Sequence, residues 1–166
     1  MSAPLILVSS RTGNTRILAE GVRRAFPTAV VLDAAAAPDS LEAFDPILIG
    51  FWCDRGRAPE EIERLMPRIR GKRIGFFATM GGDPASPRAQ EWMLRTCRNL
   101  AALGAQNVVQ AQFLSRGRID PALFERMSAG SAPSPEREAR RRESETHPDR
   151  LDLLEVEKIF REAFVH

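Results

Sequence analysis

The chain of 166 residues carries 43% hydrophobic and 28% charged residues, a balance typical of globular proteins that excludes a wholly disordered or fibrous one. Its formal net charge of +2 is too small to require a nucleic-acid partner. The cysteines are Cys53 and Cys97, and they lack metal-ligand spacing, so we expect no metal site. We expect the protein to reside in the reducing cytoplasm. The apolar run Leu5–Val8 is too short to span a bilayer, and we expect no membrane insertion.

Short apolar runs, each long enough for a strand buried on both faces, alternate along the chain with segments of helical spacing. The five predicted strands are Leu5–Val8, Ala29–Leu32, Pro46–Phe51, Ile74–Ala78 and Val108–Leu114. The helical spacing after the first, third and fourth strands is carried by Leu18 and Val22, by Ile62 and Leu65, and by Trp92 and Met93. The link between the second and third strands has no long amphipathic stripe, which predicts a short or partly irregular connection.

Strands separated by helices of this length usually lie parallel, because parallel neighbours need a crossover that packs its helix on the sheet. The sequence therefore predicts an α/β fold, with a doubly wound five-stranded parallel sheet and helices on both faces. We expect residues 1–166 to form one domain. Leu153, Val156 and Phe160 repeat at helical spacing near the carboxyl end, which predicts a last helix that covers one face of the sheet.

An excursion at about residues 115–149 separates the fifth strand from this last helix. Within it, Asp120 is expected to cap a short helix that begins at Pro121. The arginine run at residues 140–142 is surrounded by glutamates, which favours a solvated, salt-bridged face over a phosphate-binding patch. Arg116 and Arg118 are candidate contacts, although ordinary surface arginines are expected. The excursion is a reasonable place for partner selection, with the alternative that it only covers the edge of the sheet.

The strongest chemical signal lies directly after the first strand and directly before the first helix. It consists of Ser10, Arg11, Thr12, Gly13, Asn14 and Thr15. A helix that begins at the carboxyl edge of a parallel sheet points unpaired N–H groups and its positive dipole end at ligands, so hydroxyls and amides there can surround a phosphate. Gly13 permits a backbone bend. The alternative is that Thr12 or Asn14 only caps the helix.

The absence of other phosphate motifs narrows the ligand. The chain has no G-x-x-x-x-G-K-S/T pattern and no G-x-G-x-x-G after its first strand, which counts against nucleoside triphosphates and NAD. Residues 10–15 resemble instead the Ser/Thr-x-Thr-Gly-Asn-Thr phosphate loop of flavodoxins, and the resemblance extends through the order of strands and helices to most of the chain. This resemblance implies a flavodoxin-like fold that binds FMN as its cofactor.

Flavodoxins hold the flavin ring between the loops that follow their third and fourth strands. The ring-binding residues that the resemblance implies here are Trp52, Cys53, Asp54 and Gly56, followed by Thr79, Met80, Gly81, Gly82 and Asp83. Trp52 is the expected stacking residue, with the alternative that it completes the core at the strand end. The glycine pair could equally make a simple tight turn. Many flavodoxins cover the outer ring face with a tyrosine, and this chain contains none.

A narrower resemblance concerns a flavodoxin-like subgroup associated with bacterial bilirubin reduction. It is carried by Trp52, Asp54, Gly56, Phe77, Thr79, Gly81, Gly117, Ile119, Asp120 and Pro121. It implies an FMN-binding electron-transfer protein, without catalytic residues of its own, that serves a redox partner protein such as a larger reductase. Two alternatives stay open: a non-redox binding or assembly subunit, and an FMN-dependent reductase. The oligomeric state cannot be read from the sequence.

Overall fold

The computed structural model describes residues 2–164, so residues 1, 165 and 166 of the predicted domain lie outside it. Its strands are β1 (Ala3–Val8), β2 (Val30–Asp33), β3 (Phe44–Trp52), β4 (Arg73–Met80) and β5 (Val108–Arg116). They form a sheet in the order β2-β1-β3-β4-β5, in which each neighbouring pair runs parallel. The predicted α/β, doubly wound sheet is therefore confirmed.

The central strands are buried on both faces because their apolar residues are continuous rather than alternating. Leu5–Leu7 of β1 and Ile47–Ile49 of β3 are completely buried, and Leu7 lies opposite Ile49 in the register. The edge strands are more exposed: Val30 and Val31 of β2 each keep about two fifths of their accessible surface. The buried strands β1 and β3 therefore give a rigid support to the loops that leave them.

Helices cover both faces of the sheet. They are α1 (Asn14–Ala25), α2 (Glu60–Leu65), α3 (Pro87–Leu103), α4 (Pro121–Ser128), α5 (Pro135–Ser144) and α6 (Arg150–Phe164). One core joins α1 and α6 to the sheet, and a second joins α2 and α3 to its other face. None of the helices between residues 2 and 164 combines the length and apolar character needed to cross a membrane.

Cys97 lies inside the second of these cores. Its side chain is 2% exposed, and burial raises the pKa of its thiol far above the ordinary value. Cys97 is therefore a neutral thiol packed in the core. The link between β2 and β3 contains a short 3-10 helix at Ala34–Ala36, in agreement with the predicted short connection.

The excursion after β5 holds two helices, of which only α4 was predicted. Asp120 caps α4 by accepting a hydrogen bond from the N–H of Ala122 at 3.0 Å. The charged run forms α5, where Arg141 pairs with Glu138 at 2.6 Å and with Glu145 at 2.7 Å. The predicted salt-bridged face is therefore present, but as a helix supported by pairs three and four residues apart. It was missed because α5 has no apolar stripe.

The last helix returns to the sheet as predicted and buries Val156 and Phe160. A reciprocal cap fixes its start: Asp149 accepts from the N–H of Asp152 at 3.0 Å, and the Asp152 carboxylate accepts from the N–H of Asp149 at 2.8 Å. The Asp152 N–H holds the pKa of Asp149 below its ordinary value. His147 Nδ1 lies 2.7 Å from Asp152, so these contacts account for the closeness of the three side chains.

Candidate cofactor-binding site

The candidate site lies at the carboxyl edge of the sheet, beside β1 and β3. In the sheet, β1 lies between β2 and β3, and the connections from β1 run to opposite sides of the sheet. A crevice therefore opens between the loop that follows β1 and the loop that follows β3. A cavity of about 100 Å³ lies there. It is lined by Arg11, Thr12, Asn14, Trp52, Cys53, Thr79, Met80, Gly81, Arg118, Ile119 and Asp120. The three predicted loops therefore meet at one place.

The loop before α1 has the backbone of an anion cradle. Gly13 has φ 94, a conformation that L side chains rarely adopt, and its N–H donates to Ser10 Oγ at 3.1 Å. Among the hydrogen bonds between residues 2 and 164, none uses the backbone N–H of residue 11, 12, 14, 15 or 16. These donors surround the positive end of the α1 dipole. The donor set therefore fits the phosphate of FMN.

Two predicted phosphate-loop side chains are engaged within the protein. The Asn14 amide donates to Thr12 Oγ1 at 3.1 Å and to the Arg118 carbonyl at 2.8 Å. Thr15 is completely buried, and its hydroxyl lies 2.9 Å from that of Thr79. Asn14 therefore ties the loop to the segment after β5, and Thr15 ties it to β4. The donors that remain available beside the cavity include unpaired backbone N–H groups, the hydroxyl of Thr12 and the guanidinium of Arg11.

Buried polar residues gather beneath this edge. Ser9, Thr15, Thr79 and Ser115 are each at most 2% exposed and stand where β1, α1, β4 and β5 meet the site. The Ser115 hydroxyl donates to the Arg116 carbonyl, and Ser9 donates to Glu61. Buried polar groups need such partners, so this layer holds the loops in one arrangement.

The first predicted ring loop is a tight turn anchored to α3. Asp54 and Arg57 exchange two backbone hydrogen bonds, and Arg55 and Gly56 have φ 52 and φ 80, as a type I′ turn requires. The Trp92 indole N–H donates to the Gly56 carbonyl at 2.8 Å. Asp54 and Gly56 therefore shape the loop without lining the cavity. Trp92 was predicted only as part of the helical stripe, so this anchor was not predicted.

Trp52 and Cys53 line the cavity at the end of β3. Trp52 is half-buried, and the Arg11 guanidinium lies 5.7 Å from its ring centroid, within cation-π range. Trp52 therefore does more than complete the core, which was the alternative, because its ring also lines the cavity. The Cys53 N–H donates to the Thr79 carbonyl at 2.9 Å, and burial raises the pKa of its thiol. Cys53 is therefore a neutral wall residue at neutral pH.

The second predicted ring loop contributes Thr79, Met80 and Gly81 to the cavity but not Gly82 or Asp83. A Cβ on Gly81 would stand 2.9 Å from Ile119 Cγ1, so this position has no room for a side chain. The Asp83 carboxylate instead accepts from the N–H of Ala85 at 3.0 Å, in the turn that precedes α3.

A third wall comes from the segment after β5 and was not predicted as part of the site. Arg118, Ile119 and Asp120 line the cavity, and the Gly117 N–H donates to the Met80 carbonyl at 2.7 Å. The expectation of an ordinary surface arginine is wrong for Arg116, whose side chain is only 12% exposed. The available signal was position, since this segment leaves the same edge of the sheet as the two predicted ring loops.

The sequence matches the model of the flavodoxin domain over residues 5–161, and the chain belongs to this family. It is 25% identical to the flavodoxin-like domain-containing protein BilS of Clostridioides difficile (strain CD3), over 92% of this chain and 90% of that protein.

Solved structures share the fold. A flavodoxin from the domain Archaea superposes with a TM-score of 0.54 and 16% identity, over 98% of this chain and 96% of that one. General stress protein 14 of Treponema denticola, solved in complex with FMN, gives a TM-score of 0.52 and 15% identity, over 96% and 99% of the two chains.

Proposed function

We propose that the protein binds FMN at the carboxyl edge of its sheet and carries electrons for a partner reductase. The observation that carries this proposal is the set of uncommitted backbone N–H groups at residues 11, 12, 14, 15 and 16, next to the half-buried ring of Trp52. The N–H groups and Thr12 would hold the phosphate. Trp52, Met80 and Ile119 would contact the ring.

The charge of the site supports a phosphate ligand. Arg11 and Arg118 both line the cavity, and both side chains are exposed at its mouth. Together with the positive end of the α1 dipole they favour a dianion. Family membership and the FMN complex of general stress protein 14 support the same cofactor for this chain.

The ionisable side chains of the cavity suit a site in which the flavin itself supplies the chemistry. Asp120 already caps α4, the Cys53 thiol is neutral because its pKa is raised, and the two arginines are permanent cations. None of these groups is poised as a general base. FMN supplies electron transfer when bound, and the chain's own residues would orient it and limit its contact with water.

The partner in this proposal is a larger cytoplasmic reductase that takes part in bacterial bilirubin reduction. The subgroup-like residues Trp52, Gly81 and Ile119 lie at the site, and the similarity to BilS extends along most of the chain. The first observation supports the resemblance to the subgroup, and the second supports a flavodoxin-like protein over most of the chain.

Titration of the purified protein with FMN, followed by anaerobic photoreduction, tests the proposal. We expect stoichiometric quenching of flavin fluorescence, and reversible reduction followed by reoxidation with a one-electron acceptor. Failure to bind FMN would favour the non-redox assembly subunit instead. Oxidation of NADPH by the isolated protein would favour the FMN-dependent reductase.

A further inference from the structure

Arg116, the last residue of β5, lies between α5 and the candidate site. Its Nη1 is 2.9 Å from the Glu143 carboxylate of α5, and its Nη2 is 3.6 Å from the Asp83 carboxylate. Its Nε donates to the Gly82 carbonyl at 3.3 Å. A single side chain therefore joins α5 to the second ring loop.

The end of α5 also holds the segment that forms the third wall of the cavity. The Ser144 hydroxyl accepts from the Ile119 N–H, and the Glu145 carbonyl accepts from Arg118 Nε, each at 3.4 Å. On the opposite side of this segment, the Arg118 carbonyl accepts from the Asn14 amide at 2.8 Å. The segment is thus held between α5 and the phosphate loop.

We propose that Arg116 is a positioning residue that couples α5 to FMN binding. The inference rests on the proposed function, because FMN is the ligand whose site it shapes. Arg116 holds residues 117–120 and 80–83 in the arrangement that leaves the cavity open. Loss of its contacts with Glu143 and Asp83 lets both walls move. FMN binding must then order these walls, and the lost conformational entropy weakens the binding free energy.

The location of these contacts makes the coupling effective. Within α5, Ser144 is buried, and the contacts described above that tie this helix to the candidate site are polar. Arg116 is 12% exposed and is therefore less screened than the surface pairs of α5. Because coupling between two sites is reciprocal, FMN should in turn order α5 and reduce its local opening.

Replacing Arg116 by methionine keeps an unbranched side chain and removes every donor. Its partners Asp83 and Glu143 are 58% and 65% exposed, so the variant leaves no buried charge unpaired and should fold. We expect the dissociation constants for FMN and for riboflavin to rise about tenfold each, within the usual range of coupling between sites. Arg116→Lys should restore part of the affinity.

Two glutamates of α5 provide a matched pair of variants. Glu143→Gln weakens the contact with Arg116, whereas Glu138→Gln weakens a pair with Arg141 that lies within α5. We expect Glu143→Gln to weaken FMN binding and Glu138→Gln to leave it unchanged. Simple electrostatics predicts the reverse, because removing a negative charge near an anion site should tighten FMN binding.

Hydrogen exchange of the FMN-free proteins supplies a readout that does not depend on flavin. Arg116→Met should speed amide exchange in residues 80–83 and 117–120, and Glu138→Gln should leave both segments unchanged. Unchanged exchange and native FMN affinity in Arg116→Met would overturn the inference, as would equal weakening by the two glutamate variants. If the native protein itself binds no FMN, the proposed function fails, while exchange in these segments still decides whether Arg116 positions them.

Discussion

Replacing Phe160 by alanine should remove about 3–5 kcal/mol from the free energy of unfolding, the usual cost of truncating a buried phenylalanine. Phe160 is completely buried in α6, and its ring lies 6.1 Å from that of Phe77 and 5.9 Å from that of Phe164. The ring also covers Gly75 of β4, where a Cβ would stand 2.8 Å from it. Because Gly75 has no side chain, it cannot fill the cavity that the truncation leaves.

Urea denaturation followed by circular dichroism measures this effect. Leu151→Ala is the matched control, because Leu151 lies on the same helix and is 71% exposed. It should change the free energy of unfolding by less than about 0.5 kcal/mol, as surface substitutions usually do. A loss below about 1 kcal/mol for Phe160→Ala would mean that α6 does not seal this face of the sheet.

Replacing Gly13 by alanine should raise the dissociation constant for FMN about tenfold or more, equivalent to about 1.4 kcal/mol. Gly13 has φ 94, so a Cβ there is strained although nothing lies within 4 Å of its position. The loop can relieve this strain by turning its peptide groups, and that rotation moves the unpaired N–H groups of residues 11, 12, 14 and 15 away from the phosphate.

Gly71 offers a control with the same backbone strain at the opposite edge of the sheet. Its φ is 65, its Cβ position is equally open, and it precedes β4 rather than following a strand. Gly71→Ala should lower stability by a similar amount and leave FMN affinity unchanged. Equal FMN affinity in the native protein and in Gly13→Ala would contradict the proposal that this loop binds the phosphate.

The sheet and the position of the turn at residues 10–15 could be predicted because local signals agree with the tertiary fold at these places. The run Leu5–Val8 is continuous and apolar, and residues 10–15 combine hydroxyls, an amide and a glycine at one turn. Strand ends were less certain: β3 extends to Trp52 rather than ending at Phe51. That one-residue extension places the indole at the cavity.

The remaining parts of the site depend on contacts between residues distant in sequence, which no local pattern records. The Trp92 indole fixes Gly56 across 36 residues, and the Asn14 amide reaches Arg118 across 104. The third wall follows an excursion whose second helix lacks an apolar stripe. Arg116 could be recognised as a buried link only once α5 and the second ring loop were placed beside it.

The central claim is that the N–H groups at the start of α1 hold the phosphate of FMN. The most direct test compares the dissociation constants of the native protein for FMN and for riboflavin, which lacks the phosphate. Because each hydrogen bond to a charged group contributes about 1.5–3 kcal/mol, we expect FMN to bind about 100-fold more tightly or better. Equal affinity for the two flavins would contradict the claim.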